Sequence, residues 1–307
     1  MRKLAILSLA LFAAACGSSS DPATPVGYIR VANLAPDAPA VDFCIAPAGG
    51  VDSLPVMAAK NATSGLVYDI PASSPTAGTK QMSGYFAYAA GTYTIKIFLK
   101  APGGSCADPL VTATNVVVPA GGYKTIALQG YVSPAGLTPH IASVFTDEVS
   151  VATTSVALRF VNGGLLKNGS TVIATPAIDI GFVAGDVYTR LFANLAYPGV
   201  ATAVAGGVDA NGYLTIPSGG LPSSLALTVC PAGVTPAPGA PCQTKPVPPG
   251  SVSGGIVASG YIVGLTDVTN PTAPDVSAAG ALFCGDVVSG TTIVPATGNY
   301  SACTSSL

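Results

Sequence analysis

From residue 27 onward the chain is a series of short apolar–polar alternations, each cut off by glycine or proline. The clearest is Tyr93-Thr94-Ile95-Lys96-Ile97-Phe98-Leu99-Lys100, rich in β-branched and aromatic residues, as a half-buried strand should be. Leu225 to Val229 occupies the corresponding place later in the chain. Asn211-Gly212 ahead of Tyr213-Leu214-Thr215-Ile216 predicts a hairpin turn, because both central residues tolerate positive φ. Gly121-Gly122 after Val116-Val117-Val118-Pro119 predicts a further turn between strands. With 36 glycines and 27 prolines, long helices are excluded. Many short strands divided by turns predict an all-β chain of two tandem immunoglobulin-like antiparallel β-sandwich domains, with closed barrels as the alternative.

Two halves repeat one pattern. Tyr28-Ile29-Arg30-Val31-Ala32-Asn33 matches Ala157-Leu158-Arg159-Phe160-Val161-Asn162, and Ala40-Val41-Asp42-Phe43 echoes Ala177-Ile178-Asp179-Ile180. At the far ends Pro119 aligns with Pro249, Ile126 with Ile256, and Gly130-Tyr131-Val132 with Gly260-Tyr261-Ile262. The expected division is a signal peptide at 1–15, a lipidated tether at 16–26 and a first sandwich at 27–147. A linker at 148–155, a second sandwich at 156–267 and a disulfide-stapled C-terminal tail at 268–307 follow. Thr235 to Pro249 reads as a proline-rich loop.

The stretch Arg30-Val31-Ala32-Asn33-Leu34-Ala35-Pro36-Asp37-Ala38-Pro39-Ala40-Val41-Asp42 resembles the opening signature of the bacterial family called domain of unknown function 4397. Ala90-Gly91-Thr92-Tyr93-Thr94 is similar to a second stretch of that family. The resemblance covers most of residues 27–132 and, more loosely, 156–264. The second copy departs from it, with Gly163-Gly164-Leu165-Leu166 in place of Ala-Pro-Asp-Ala-Pro and an insertion before Ala177. The resemblance implies exported proteins with β-sandwich domains and supplies no catalytic residue.

The N-terminus predicts an address. Met1-Arg2-Lys3 precedes an apolar run from Leu4 to Ala15, broken only by Ser8 and shorter than the about 18–20 residues that span a bilayer. Ala13-Ala14-Ala15-Cys16 at its end resembles a bacterial lipoprotein signal, although Ala13 stands where leucine is usual. That resemblance implies acylation of Cys16 and a membrane partner through an N-terminal lipid anchor, held stably by two or more chains. Gly17 in the second mature position implies sorting to an outer membrane, and Ser18 to Pro25 reads as a flexible tether. The plain alternative is an ordinary signal peptide cut near Ala15.

Charged residues make up 8% of the chain, against roughly 25% in average soluble proteins. No basic patch supports a nucleic-acid partner. Seven cysteines fit an oxidising compartment. With Cys16 lipidated, Cys44, Cys106, Cys230, Cys242, Cys284 and Cys303 remain, and six cysteines allow fifteen pairings. Sequence order and domain logic favour Cys44–Cys106, Cys230–Cys242 and Cys284–Cys303. A metal site is the rival, but no C-x-x-C occurs and the lone histidine, His140, is remote in sequence from any cysteine.

Catalytic inventory is thin. Nucleophilic catalysis usually needs a base, and His140 reads as structural or merely exposed. The single glutamate, Glu148, falls in the expected linker beside Asp147. Asp37 and Asp42 are the best ligand-loop candidates, as calcium ligands or a sugar-binding edge. The structural reading makes Asp37 a turn organiser and Asp42 a polar strand position repeated by Asp179. Tyr131 and Tyr261 read as equivalent packing residues. Arg30 and Arg159 read as partners of Asp42 and Asp179 respectively. The functional expectation is a non-enzymatic, cofactor-free envelope lipoprotein, periplasmic or surface-facing. It would present interaction domains for adhesion or envelope organisation, with an envelope protein or glycan as partner. The alternative is a ligand-binding module for glycan or calcium, using the loop from Ala35 to Asp42.

Overall fold

Ile29 and Val31 pack with Ile126 and Leu128 on one side of two neighbouring strands, while Ala32 and Ala127 pack on the other. Both faces of that sheet are therefore buried, and its strands have almost unbroken buried runs instead of strict alternation. The computed structural model from which this architecture is read describes residues 24–62, 64–68, 80–100, 104–132, 140–147, 151–168, 171–200, 202–203, 207–220, 226–246, 254–267, 280–288 and 303–306. The expected signal peptide, Cys16, most of the tether, Glu148 and Pro249 lie outside the described residues.

In the first half β1 (Val26–Asn33), β2 (Val41–Pro47), the one-turn helix α1 (Val56–Ala59), β3 (Phe86–Ala89), β4 (Gly91–Leu99), β5 (Val111–Val118), β6 (Tyr123–Gln129) and β7 (Ile141–Asp147) follow in order. They form two sheets, β3-β1-β6-β7 and β2-β4-β5, around a core that includes Ile29, Val31, Phe43, Ile45, Ile95, Ile97 and Ile126. The predicted strand at Tyr93 is β4. The Gly121-Gly122 turn joins β5 to β6, with Gly121 at φ 68° and the Gly122 N–H donating to the Pro119 carbonyl.

The second half comprises β8 (Ser155–Asn162), β9 (Leu165–Asn168), β10 (Thr171–Ala174), β11 (Ile178–Ala184), β12 (Val187–Leu195), β13 (Gly199–Val200), β14 (Thr202–Ala203), β15 (Leu214–Pro217), β16 (Ala226–Pro231), β17 (Gln243–Pro246), β18 (Ile256–Val263), β19 (Leu265–Asp267), β20 (Gly280–Val288) and β21 (Cys303–Ser306). Its sheets run β13-β8-β18-β20-β21, with β15 also on β8, β14-β12-β11-β16-β17, and the small β10-β9-β19. Leu158, Phe160, Ile180, Phe192 and Leu227 pack in its core. The turn ahead of β15 contains Asn211-Gly212 but is not the expected hairpin, since Gly212 alone of the two has positive φ, 85°, and β15 pairs with β8 while the preceding β14 pairs with β12. It is organised by the Asp209 carboxylate accepting from the Asn211 and Tyr213 N–H groups.

The chain is an all-β sandwich protein, and three of its details differ from expectation. First, the sheets are not purely antiparallel. β1 runs parallel to β6, and β8 parallel to β18, because the chain crosses to the opposite sheet and returns before closing beside its opening strand. Second, the repeat has a different register at its far end. Arg30 pairs with Thr125 and Arg159 with Ser259, so Gly130 matches Gly264, four residues beyond the Gly260 that sequence alignment chose. Both glycines have positive φ, 95° and 126°. Tyr261, which pairs with Val161, therefore corresponds to Ala127, which pairs with Ala32, and not to Tyr131. Third, β20 pairs with β18 along its whole length and β21 pairs with β20, so the described part of the segment read as a tail supplies strands of the second sandwich.

The two halves meet through the sheets holding β1 and β8. Ala32, Leu34, Met82, Ala127 and Phe145 from the first half cluster with Val161, Tyr261, Val263, Leu282, Cys284 and Cys303 from the second. The three disulfides are Cys44–Cys106, Cys230–Cys242 and Cys284–Cys303, with Cα separations of 5.9, 4.3 and 4.2 Å. The third lies in the seam itself. Its loop is 19 residues, so replacing both cysteines with serine should cost about 3 kcal/mol. Urea denaturation of the Cys284→Ser, Cys303→Ser variant is expected to show that loss in a single transition. Two separated transitions in the wild type would contradict a shared seam.

Candidate functional site

The polar centre of the molecule lies in this seam, and its parts come from equivalent positions in the two halves. Arg30 on β1 and Arg159 on β8 are each fully buried. The Arg30 Nε donates to Thr125 Oγ1 on β6 at 2.7 Å, and the Arg159 Nε donates to Ser259 Oγ on β18 at 3.0 Å. Each guanidinium lies over a tyrosine ring with its carbon 4.5 Å from the centroid, Tyr85 for Arg30 and Tyr213 for Arg159. Each also reaches a backbone carbonyl in the other half. Arg159 Nη1 donates to the Thr146 carbonyl at 2.7 Å, and Arg30 Nη1 donates to the Gly285 carbonyl at 3.3 Å.

One carboxylate joins the two systems. Asp147, the last residue of β7, accepts from Arg159 Nη2 at 2.6 Å on Oδ1. Its Oδ2 accepts from Thr125 at 2.6 Å and from the Tyr85 hydroxyl at 2.8 Å, with Arg30 Nη2 at 3.9 Å. Burial alone would push the Asp147 carboxyl up, but the Arg30 and Arg159 guanidiniums and the Thr125 hydroxyl outweigh it and hold the group below the usual carboxylate range. It stays ionised with its lone pairs engaged, which equips it to hold two domains and leaves it poorly placed to move a proton.

Sequence reasoning singled out both arginines and assigned them the wrong acids. Asp42 instead accepts from the N–H groups of Phe43, Met57 and Ala58 at 2.7, 2.9 and 3.0 Å, tying β2 to the start of α1. Asp179 accepts from Asn194 and Gly233 N–H groups and from Arg190 Nη1, at 2.8, 2.9 and 2.9 Å. Burial opposes ionisation there too, and these donors together hold its carboxyl low. It also stabilises Asn194 at φ 53°, a conformation few side chains adopt. Asp37 accepts from the Val132 N–H at 2.9 Å and so ties the Leu34–Pro39 turn to the chain after β6. Asp37 and Asp42 thus hold backbone at separate places. Among the described residues no three His, Cys, Asp or Glu side chains gather as a metal site would require. His140 Nε2 is 2.9 Å from the Leu110 carbonyl, so that nitrogen carries the proton and serves a loop contact.

Asp147, Tyr85, Thr125, Tyr213 and Ser259 were not singled out as site residues. Asp147 falls at the expected domain edge, where an acid reads as solvated. Only the pairing register, which puts Thr125 beside Arg30, brings the set together.

A family model described as Domain of unknown function (DUF4397) matches residues 27–181, half of the chain. The match runs through Arg30, Tyr85, Thr125, Asp147 and Arg159. No curated protein matches the chain significantly. One solved structure, titled "The Bacillus anthracis TIE protein", is similar over 92% of this chain at 9% identity and a TM-score of 0.19, a likeness too slight to build on. The chain spans about half of that structure, 48% of its length.

Removing the shared carboxylate leaves two buried guanidiniums without it, and loss of one partner of a buried pair costs about 3–5 kcal/mol. Asp147→Ala is expected to lose that much in urea denaturation. Because the native pKa of Asp147 lies below its unfolded value, its contribution is full above the unfolded carboxylate pKa and is lost as pH falls through the lower native one. Wild-type stability should therefore drop on acidification below about pH 4, and Asp147→Asn should flatten that slope. Asp42→Ala, which leaves buried N–H donors without an acceptor, should cost about 2–3 kcal/mol by the same measurement, equally with and without calcium. A stability gain from calcium that Asp42→Ala abolishes would restore the calcium reading.

Proposed function

Since the chain belongs to the family described as Domain of unknown function (DUF4397), whose description assigns no activity, we propose that it is a lipid-anchored, non-enzymatic protein of the cell envelope. Its two sandwiches form one interaction module, and the second sandwich is a diverged copy of the first. The observation that carries this reading is the seam around Asp147. The most strongly interacting charges described in the molecule are engaged in joining the two sandwiches, so the chain's buried polar chemistry serves shape rather than turnover. Three disulfides fit an oxidising compartment outside the cytoplasm. The Ala13-Ala14-Ala15-Cys16 stretch supports the anchor. The repeated Arg–Tyr–hydroxyl arrangement supports the duplication.

Metabolic labelling with an alkyne fatty acid tests the anchor. The wild type should take up label and partition into detergent, and Cys16→Ala should do neither. Protease added to intact and to lysed cells then separates the two faces of the envelope. Digestion on intact cells makes adhesion or capture of external ligands the working role, and protection until lysis makes it organisation of periplasmic partners. Labelling unchanged in Cys16→Ala would overturn the anchor, and specific turnover by the purified soluble chain would overturn the non-enzymatic assignment.

A further inference from the structure

The two halves act as controls for each other, and at one end of the seam they differ in a way the fold does not require. Position by position, Tyr28, Tyr85 and Tyr123 of the first half correspond to Ala157, Tyr213 and Val257 of the second. In the second half that patch is a closed core of Ala157, Tyr213 and Val257, with Val151 packed on it. Alanine and valine therefore serve the fold at the two flanking positions. In the first half the same positions carry aromatic rings, and among the described residues beside them Val26, Ala87 and Ala89 are exposed.

The rings are ordered. Tyr28 stacks on Tyr123 with centroids 4.4 Å apart and an interplanar angle of 6°. Tyr85 meets Tyr123 edge-on at 5.1 Å. The 4.4 Å stack nearly equals the spacing of adjacent strands, about 4.8 Å, so the rings stack across the sheet from β1 to β6. The second face of Tyr28 then points the other way, toward β3, where its register partner is Ala87. Ala87 and Ala89 are exposed and Val26 is 40% exposed, while Tyr28 itself is half-buried. The result is a slot with one tyrosine face as its wall and small apolar side chains as its floor. It lies beside β3, an edge strand whose outer backbone groups have no described strand against them.

We propose that this slot is a glycan-binding site, with a neutral sugar ring stacked on Tyr28 over Ala87 and Ala89 and its hydroxyls bonded at the edge of β3. A sugar fits the chemistry because its C–H face needs an aromatic wall and its hydroxyls need nearby uncharged donors and acceptors. Arg30 and Asp147, on the same sheet, face each other inside the seam and are engaged there rather than turned to a ligand. The site is distinct from the Ala35–Asp42 loop, whose carboxylates hold backbone. It rests on the proposed envelope location only for where a glycan would be met.

The test is titration calorimetry of the soluble chain from Gly17 onward with three neutral oligosaccharides, cellohexaose, chitohexaose and maltoheptaose. Tyrosine fluorescence provides a second readout, because the chain has no tryptophan. Saturable binding of at least one is expected, weakened roughly tenfold or more by Tyr28→Ala. Ala87→Gln, an exposed change that fills the slot without touching the stack, should weaken it similarly with an unchanged melting temperature. Tyr28→Phe should retain most of the binding. No saturable binding of any of the three, or binding indifferent to both Tyr28→Ala and Ala87→Gln, overturns the site. Dimerisation of the chain that Ala87→Gln abolishes would also overturn it, in favour of a second copy as the occupant. None of these outcomes depends on whether Cys16 carries lipid.

Discussion

Asp147 is the constraint on which the arrangement of the molecule depends. A carboxylate and two guanidiniums removed from water cost several kcal/mol each, a cost offset only by good geometry and a full set of hydrogen bonds. The seam supplies both through Thr125, Tyr85, Ser259, Tyr213 and carbonyls from each half. Such a network is weak evidence of large net stability. Its physical effect is specificity: the apolar seam could slide by a strand register at modest cost, whereas two arginines converging on one carboxylate fit only one register.

Burial follows from the same constraint. The sheet holding β1 and β6 packs on its own domain's core with one face and on the other domain with the second. The small side chains of Ala32 and Ala127 let the sheets approach, while Tyr261 and Phe145 fill the space beside them, with centroids 6.3 Å apart. The disulfide Cys284–Cys303 lies in the same layer, so the covalent staple and the ionic lock act on one surface.

Local pattern made the β class, β4 and the Gly121-Gly122 turn legible in the sequence, because each depends on residues close together in the chain. The parallel pairing of β1 with β6 was not legible, since it joins residues almost a hundred positions apart and no local alternation distinguishes it. Alignment of Gly130 with Gly260 failed for a related reason. Gly-Tyr followed by a β-branched residue recurs by composition, whereas the conformation at Gly130 recurs at Gly264, where positive φ is needed at the same bend. The pairing of Arg30 with Asp42 and of Arg159 with Asp179 followed from the recurrence of both residues in the two halves. The structure assigned the arginines to the face opposite Asp42, because strand parity puts Arg30 with Ala32 and not with Ile29 and Val31. Asp147 was hidden by its place at a domain edge.

The remaining differences between the halves divide the seam into two unlike ends. At one end the second half adds the β9–β10 hairpin, joined by β19, and its Leu165 and Val172 receive Tyr131 from the first half together with Tyr197. The first half has no such insertion there and closes the corresponding turn with Asp37 on the Val132 N–H. That end is filled. At the other end Val151 covers the small residues of the second half, while the first half carries the Tyr28–Tyr123 stack beside exposed Ala87. Where the halves agree, at the arginines, their tyrosines and hydroxyls, the agreement is explained by the lock they build together. Where they disagree, the lock makes no demand on the side chains, and it is at this tyrosine-lined end that the proposed glycan site lies.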